Sequence, residues 1–267
     1  MNARAAPIVQ QSWAALRRYT PARIALGRAG NGVPTQAHLA FQAAHARARD
    51  AVHAGFDVET FADKVASSGC SAITVRSAAA DRQAYLRFPD LGRTLGAESK
   101  ARLSEPLVAP DVVIVIGDGL SSVAVERNAF PVLRALWGRL QERRYEIAPV
   151  VVALQARVAL ADQIGEVLQA RLSVMMIGER PGLSAADSLG MYLTYAPRVG
   201  RLDSERNCIS NIHANGMSAE VAAAQACRLI DSMFTYRVSG VALAQHLTSS
   251  TPDRAALSTK HDTARAL

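Results

Sequence analysis

At 267 residues, 49% of them apolar and 20% charged, the chain has the make-up of a globular protein with a substantial core, in one large domain or two smaller ones. No apolar run approaches the ~18 residues of a membrane span, and residues 1–25 lack the continuous apolar stretch of a secretory signal. The formal net charge is +7, but the arginines are scattered and aromatics make up only 5%, which disfavours nucleic acid as a partner.

Cys70, Cys208 and Cys227 are odd in number and show no CxxC spacing. That argues against a zinc site or a disulfide framework and fits a reducing cytoplasm.

In chain order, Ile8, Val9, Trp13 and Leu16 stand at roughly helical spacing and predict an amphipathic packing or docking helix. TPARIALGRAGN, from Thr20 to Asn31, reads as a loop rich in Arg and Gly. Thr35 is the expected cap of an alanine-rich helix through QAHLAFQAAHARARDAVHAGF. His38, His45 and His53 fall along it at spacings of seven and eight, which suit packed or exposed histidines better than a metal set. Asp57 is the expected cap of a second helix, VETFADKVASSG. SAITVR (71–76) predicts a strand, AYLRFPDLG a further strand ended by Pro89 and Gly92, and RTLGAESKARLSE a helix.

The second half has a clearer rhythm. A strand at Val112 to Ile116 leads through a glycine turn into a helix, AVERNAFPVLRALWGRLQERR, in which Pro131 predicts a kink or a break. The apolar run IAPVVVALQARVAL, a short helix from Asp162 and a third strand, Arg171 to Ile177, follow. This alternation predicts an α/β fold, a Rossmann-like parallel sheet flanked by helices. It would occupy residues 105–247, preceded by a mainly helical N-terminal region (1–104) and followed by a polar tail (248–267).

Three constellations could carry chemistry. The first is Gly178-Glu179-Arg180-Pro181-Gly182-Leu183, which sets Glu179 and Arg180 at the carboxyl end of the third strand, where open α/β sheets place ligands. Its plainer reading is a rigid turn carrying a solvated ion pair. The second, Gly117-Asp118-Gly119-Leu120-Ser121-Ser122, has the strand–turn–helix context of a dinucleotide fingerprint. However, Ser122 replaces the third glycine, and Asp118 puts a carboxylate where a pyrophosphate would sit. In the third, Asn207 to Gly216, Asn211-x-His213-x-x-Gly216 nearly matches the D-x-H-x-x-G pattern by which some cobalamin proteins ligate cobalt. Asn211 replaces the aspartate that would orient the histidine. The plainer reading is a turn at Asn215-Gly216 with Ser218 capping the next helix, and for Cys208 a packed thiol.

Taken in order, ARIALGRAG with PTQAHLAF, VIGDGLSS, RVALADQIGE, IGERPGLSAADSLGMYLTYAPR and NCISNIHANG resemble the small (light) subunits of adenosylcobalamin-dependent ethanolamine ammonia-lyases. The resemblance runs from about Arg18 to Val241. It implies a subunit inactive alone, in a hetero-oligomer with a TIM-barrel large subunit that binds ethanolamine and holds the catalytic residues. The small subunit would cover the barrel mouth, with the corrinoid sandwiched between the chains. It also implies that Val158, Glu179 and Cys208 contact adenosylcobalamin, and that cobalt keeps the cofactor's own dimethylbenzimidazole, so that His213 need not ligate it. No catalytic residue and no metal ligand is assigned to this chain. The implied setting is the cytoplasm or a bacterial microcompartment. A stand-alone Rossmann-type nucleotide-binding oxidoreductase using GDGLSS is the competing expectation.

Overall fold

Val112, Val113, Ile114, Val115 and Ile116 are apolar on both sides of a strand, so the strand can exist only where both faces are covered. In the computed structural model, which describes residues 8–9, 12–103 and 108–249, it is the central strand β2 (Val112–Gly117), buried throughout. β1 (Ala72–Arg76), β3 (Val150–Leu154) and β4 (Leu172–Gly178) lie parallel to it. Two further strands extend the sheet: β5 (Leu189–Tyr195) runs antiparallel to β4, and β6 (Asn207–Ile212) antiparallel to β5, so that β6 again runs in the direction of β4. The order is β1-β3-β2-β4-β5-β6. The expected α/β class is therefore correct, with a sheet that is mostly rather than wholly parallel. β1 comes from the N-terminal region, so the ladder draws on residues either side of position 104.

Helices clad the two faces unequally. α2 (Val58–Ala66), α5 (Ser122–Glu142) and α7 (Ala219–Tyr236) pack on the face carrying Ile114, Val152, Val174, Met191 and Ile209. α6 (Leu160–Val167) covers the other face over Val113, Val151 and Met175. Beyond it on this face, Tyr192 of β5 is half-buried and Cys208 of β6 exposed.

α1 (Thr35–His53) turns Ala44, Ala48 and Ala51 inward and leaves His38, His45 and His53 exposed. α8 (Gly240–Ser249) ends the described chain. No helix among the described residues is long and apolar enough to cross a membrane. The tail from residue 250 onward lies outside the described residues.

Several local expectations need correcting. AYLRFPDLG is not a strand. It lies in α3 (Arg82–Arg87), because the Asp81 carboxylate accepts from the Ala84 amide at 2.7 Å and starts a helix, and a short 3-10 turn (Leu91–Arg93) follows Pro89. The region expected as helix around Ala97 is α4 (Ala97–Arg102). α1 begins at Thr35, but its cap position is Pro34 and makes no side-chain bond. Asp57 does cap α2, accepting from Thr60 N at 3.0 Å, and Ser218 caps α7 through Val221 N at 3.4 Å. α5 runs through Pro131 without a break. The N-terminal segment forms a 3-10 turn at Ser12–Tyr19, leaving Trp13 and Leu16 exposed, while Val9 bridges to Arg28.

The β2–α5 turn and the end of β4 touch through backbone alone. A Cβ on Gly178 would overlap the Ser121 carbonyl oxygen and come within 2.6 Å of the Asp118 carbonyl oxygen. Gly178→Ala should therefore lower the unfolding free energy by about 1–3 kcal/mol. Urea denaturation of the purified chain measures this, and an unchanged midpoint would contradict the contact.

Candidate functional site

The GDGLSS turn is already full. Gly119 has φ +58°, and a Cβ there would overlap the Gly178 carbonyl oxygen. That carbonyl accepts from Leu120 N at 3.0 Å, and Ser121 Oγ accepts from Ala124 N at 3.2 Å. Two of the amides a phosphate would use, those of Leu120 and Ala124, are thus engaged internally.

Asp118 points into the protein. Its Oδ1 accepts from Ala156 N at 3.0 Å, and its Oδ2 accepts from Arg82 Nη1 at 3.1 Å. The competing nucleotide-binding expectation fails on this geometry: the crevice is occupied by backbone, and its carboxylate is a brace between β2 and the loop after β3. Burial pushes the Asp118 carboxyl up to about 6, against the opposing pull of the Ala156 amide and Arg82.

That loop is pinned from several sides. Gln155 sits at φ +57°, Tyr85 Oη donates to Ala156 O at 3.0 Å, and Arg157 N donates to Gly92 O at 2.8 Å. The Arg157 guanidinium lies 4.4 Å from the Tyr85 ring centroid, a cation–π contact on the same wall. Val158 is the next residue. It is half-buried, and packs on the sheet face that α6 covers, in the same apolar cluster as Met175, Ile177 and Tyr192.

Glu179 follows β4 directly. Its amide donates to Ser188 O at 3.0 Å, and its Oε2 accepts from Ser188 Oγ at 2.5 Å. The carboxylate lies across Gly190, where a Cβ would stand 2.9 Å from Oε1. Oε1 accepts no hydrogen bond among the described residues.

Cys208 stands opposite Tyr192 in the β5–β6 register, so both side chains share one face, and Tyr192 in turn pairs with Met175. Cys208 is exposed rather than a packed thiol, but the desolvation it does undergo pushes its thiol up, with the Tyr192 hydroxyl opposing and the Glu179 carboxylate adding to the rise. Burial raises Tyr192 as well, again with Cys208 and Glu179 as neighbours. Val158, Glu179 and Cys208, which lie on three separate segments, are therefore brought to the same side of the sheet, on the part of the α6 face that the helix leaves open. Arg180 is exposed beside them.

The third constellation closes on itself. Asn215 N donates to His213 Nδ1 at 3.3 Å, so Nδ1 carries the lone pair and Nε2 carries the proton it gives to Asn211 Oδ1 at 2.8 Å. Asn211 does orient the histidine, but both ring nitrogens are committed to the turn.

Sequence reasoning missed Gly190, Tyr192 and Ser188, and with them β5. The signal was present: Leu189, Met191 and Leu193 alternate with Gly190, Tyr192 and Thr194. β6 was hidden by a bulge. Between the pairs Leu189–Ile212 and Met191–Ile209, two residues of β6 oppose one of β5, with Asn211 at φ +64°. Ile209 and Ile212 are consequently three apart although both face the core.

A sheet clad on one face, and open on the other along an antiparallel edge that presents a carboxylate, a phenol and a thiol, is a flat binding platform rather than an enclosed catalytic cleft. Residues 10–244 match the family model described as ethanolamine ammonia-lyase light chain. The chain is 50% identical over 241 residues to the ethanolamine ammonia-lyase small subunit of Azotobacter vinelandii, covering 89% of each chain. It is 49% identical to that of Pseudomonas syringae pv. tomato, over 86% of this chain and 82% of the relative, and 47% identical to that of Ralstonia nicotianae, over 89% and 90%. The chain belongs to the ethanolamine ammonia-lyase light chain family, and is thus a subunit of a lyase.

The raised Asp118 carboxyl has a consequence for stability. Its folded pKa lies above the unfolded value of 3.8, so the folded chain holds the proton more tightly. The resulting stabilisation is complete below about 3.8 and is lost as pH rises through about 6. The stability difference between wild type and Asp118→Asn should accordingly fall by something on the order of 3 kcal/mol across that window. Urea melts at a series of pH values check this; a flat difference curve would contradict the buried carboxyl.

Proposed function

We propose that this chain is the small subunit of an adenosylcobalamin-dependent ethanolamine ammonia-lyase, and that the open face of β4, β5 and β6 lies against the corrinoid. The observation that carries this reading is the gathering of Val158, Glu179 and Cys208 on one side of the sheet. The chemistry of the surface suits the group. A corrin is a broad apolar disc rimmed with amide side chains, and it calls for a shallow apolar wall with a few fixed polar points. Ile177, Val158 and Tyr192 supply the wall, Gly190 keeps it low, and the free Oε1 of Glu179 supplies an acceptor for an amide or ribose donor.

When bound, adenosylcobalamin supplies radical chemistry by homolysis of its cobalt–carbon bond. This chain's residues do the holding. Ser188 fixes one carboxylate oxygen of Glu179, so the other is aimed without further ordering. The braced loop 155–157 presents Val158, and the β5–β6 pairing presents Cys208 beside Tyr192. Proton and radical steps on ethanolamine fall to a large catalytic subunit, the partner in this reading. Trp13, Leu39, Phe41 and Leu183 are exposed apolar side chains of a kind that such a partner would cover. A groove of about 570 Å³ runs among Ala22, Leu26, Phe41 and Leu183.

Replacing Glu179 by Ala removes a hydrogen bond to a charged group. In the complex with the large subunit, the KM for adenosylcobalamin should rise about tenfold or more, with co-purification of the two chains unaffected. Ammonia release titrated with cofactor measures the effect. An assembled variant with an unchanged cofactor KM would count against the assignment.

A further inference from the structure

Between the first turn of α6 and the start of β6, on the same side of the sheet as the open face, lies a buried charged pair. Asp162 is in the first turn of α6 and Arg206 immediately precedes β6, and their side chains are 2% and 3% exposed. Arg206 Nη1 donates to Asp162 Oδ1 at 2.6 Å and to Thr194 Oγ1, on β5, at 3.2 Å. Its Nη2 donates to Arg201 O at 2.8 Å, and its Nε reaches Asp203 Oδ1 at 3.4 Å. Burial pushes the Asp162 carboxyl up against the pull of Arg206. Burial alone would lower the Arg206 pKa, but the Asp162 and Asp203 carboxylates outweigh it and hold the guanidinium above its ordinary value; the 2.6 Å contact is that of an ion pair.

The placement of the pair matters more than its strength. Val158 lies four residues before Asp162, and Cys208 two residues after Arg206. α6 sits over β3, β2 and β4, whereas β6 is the far edge of the sheet, two strands beyond β4. Nothing in the ladder ties the loop before α6 to β6 directly. The Asp162–Arg206 bond does, and the Thr194 contact carries the same guanidinium to β5. A buried ion pair contributes little stability over apolar residues of equal volume, because desolvation consumes most of the Coulombic gain. What it does supply is a fixed distance and orientation, which an apolar contact does not.

We propose that Asp162 and Arg206 are positioning residues that set the spacing between the Val158 loop and the Cys208 strand, and so the fit of the open face to its cofactor. This rests on the corrinoid reading above. A disc that touches both segments at once is sensitive to their separation, and a shift on the order of 1 Å is enough to weaken a two-point contact severely. Both side chains are buried, so the substrate-binding partner is not expected to sense the change.

The test uses the complex with the large subunit and compares Asp162→Ala with Asp162→Asn. The alanine variant should raise the KM for adenosylcobalamin about tenfold, as losses of orienting contacts behind a ligand commonly do. It should leave kcat at saturating cofactor and the KM for ethanolamine unchanged. Asparagine keeps the acceptor that Arg206 uses and should restore most of the loss. Should Asp162→Ala fail to fold, Arg206→Lys takes its place: it keeps the charge but cannot reach Asp162, Thr194 and the Arg201 carbonyl together. An unchanged cofactor KM in a folded, assembled variant would overturn the proposal, as would a parallel drop in kcat and ethanolamine affinity. Glu179→Ala, run alongside, separates the two ideas. If it alone raises the cofactor KM, the positioning role fails and the corrinoid reading stands; if neither variant does, the corrinoid reading fails too.

Discussion

The architecture depends on how closely two backbones approach at the carboxyl end of the sheet. Gly119 and Gly178 face each other with no room for a single methyl between them, and Leu120 donates into the Gly178 carbonyl. This contact joins the start of α5 to the last residue of β4, and it fixes where the chain leaves β4. Glu179, the very next residue, inherits its position from that contact. The turn that a sequence reader would give to a phosphate is instead the buttress for a carboxylate one strand away.

A second brace holds the neighbouring loop. Asp118 holds the amide of Ala156, Tyr85 holds the carbonyl of the same residue, and Arg157 stacks on the Tyr85 ring. Segments from the N-terminal region thereby form the rear wall of the loop that ends at Val158. The β5–β6 bulge does the equivalent for the other edge, shifting the register once so that Cys208 and Ile212 serve opposite faces. Three different devices (a glycine contact, a buried carboxylate and a bulge) converge on one surface.

Much of this was legible in the sequence, and the failures have physical causes. The central strands were readable because burial on both faces demands continuous apolar runs, as in Val112 to Ile116 and Val174 to Ile177. Asp57 and Ser218 were readable as caps because short polar side chains satisfy free amides at helix starts. The same rule, applied to Asp81, would have turned the supposed strand AYLRF into the helix it is. β5 has ordinary alternation but sits beside a loop rich in Gly, Pro and Ser that drew attention to the turn instead. β6 has no alternation to find, because its bulge puts Ile209 and Ile212 three apart. As for the site, Val158, Glu179 and Cys208 came from family resemblance. Residue types and spacing alone could not bring three segments together across a sheet, and Asp162 and Arg206 gave no local sign of meeting.

The mixed strand directions divide the molecule by how much chain each pairing must close. β4 and β5 are joined by the ten-residue loop 179–188, whereas β1 reaches β3 only across more than seventy residues of intervening chain. Closing a loop costs entropy that grows with its length, so the antiparallel edge can gather early from local contacts while the opposite edge waits for the rest of the polypeptide. Refolding subunits would then display their outer hairpin before the sheet behind it is complete, and variants that slow β1 docking would lengthen the interval in which the unfinished sheet is exposed to self-association.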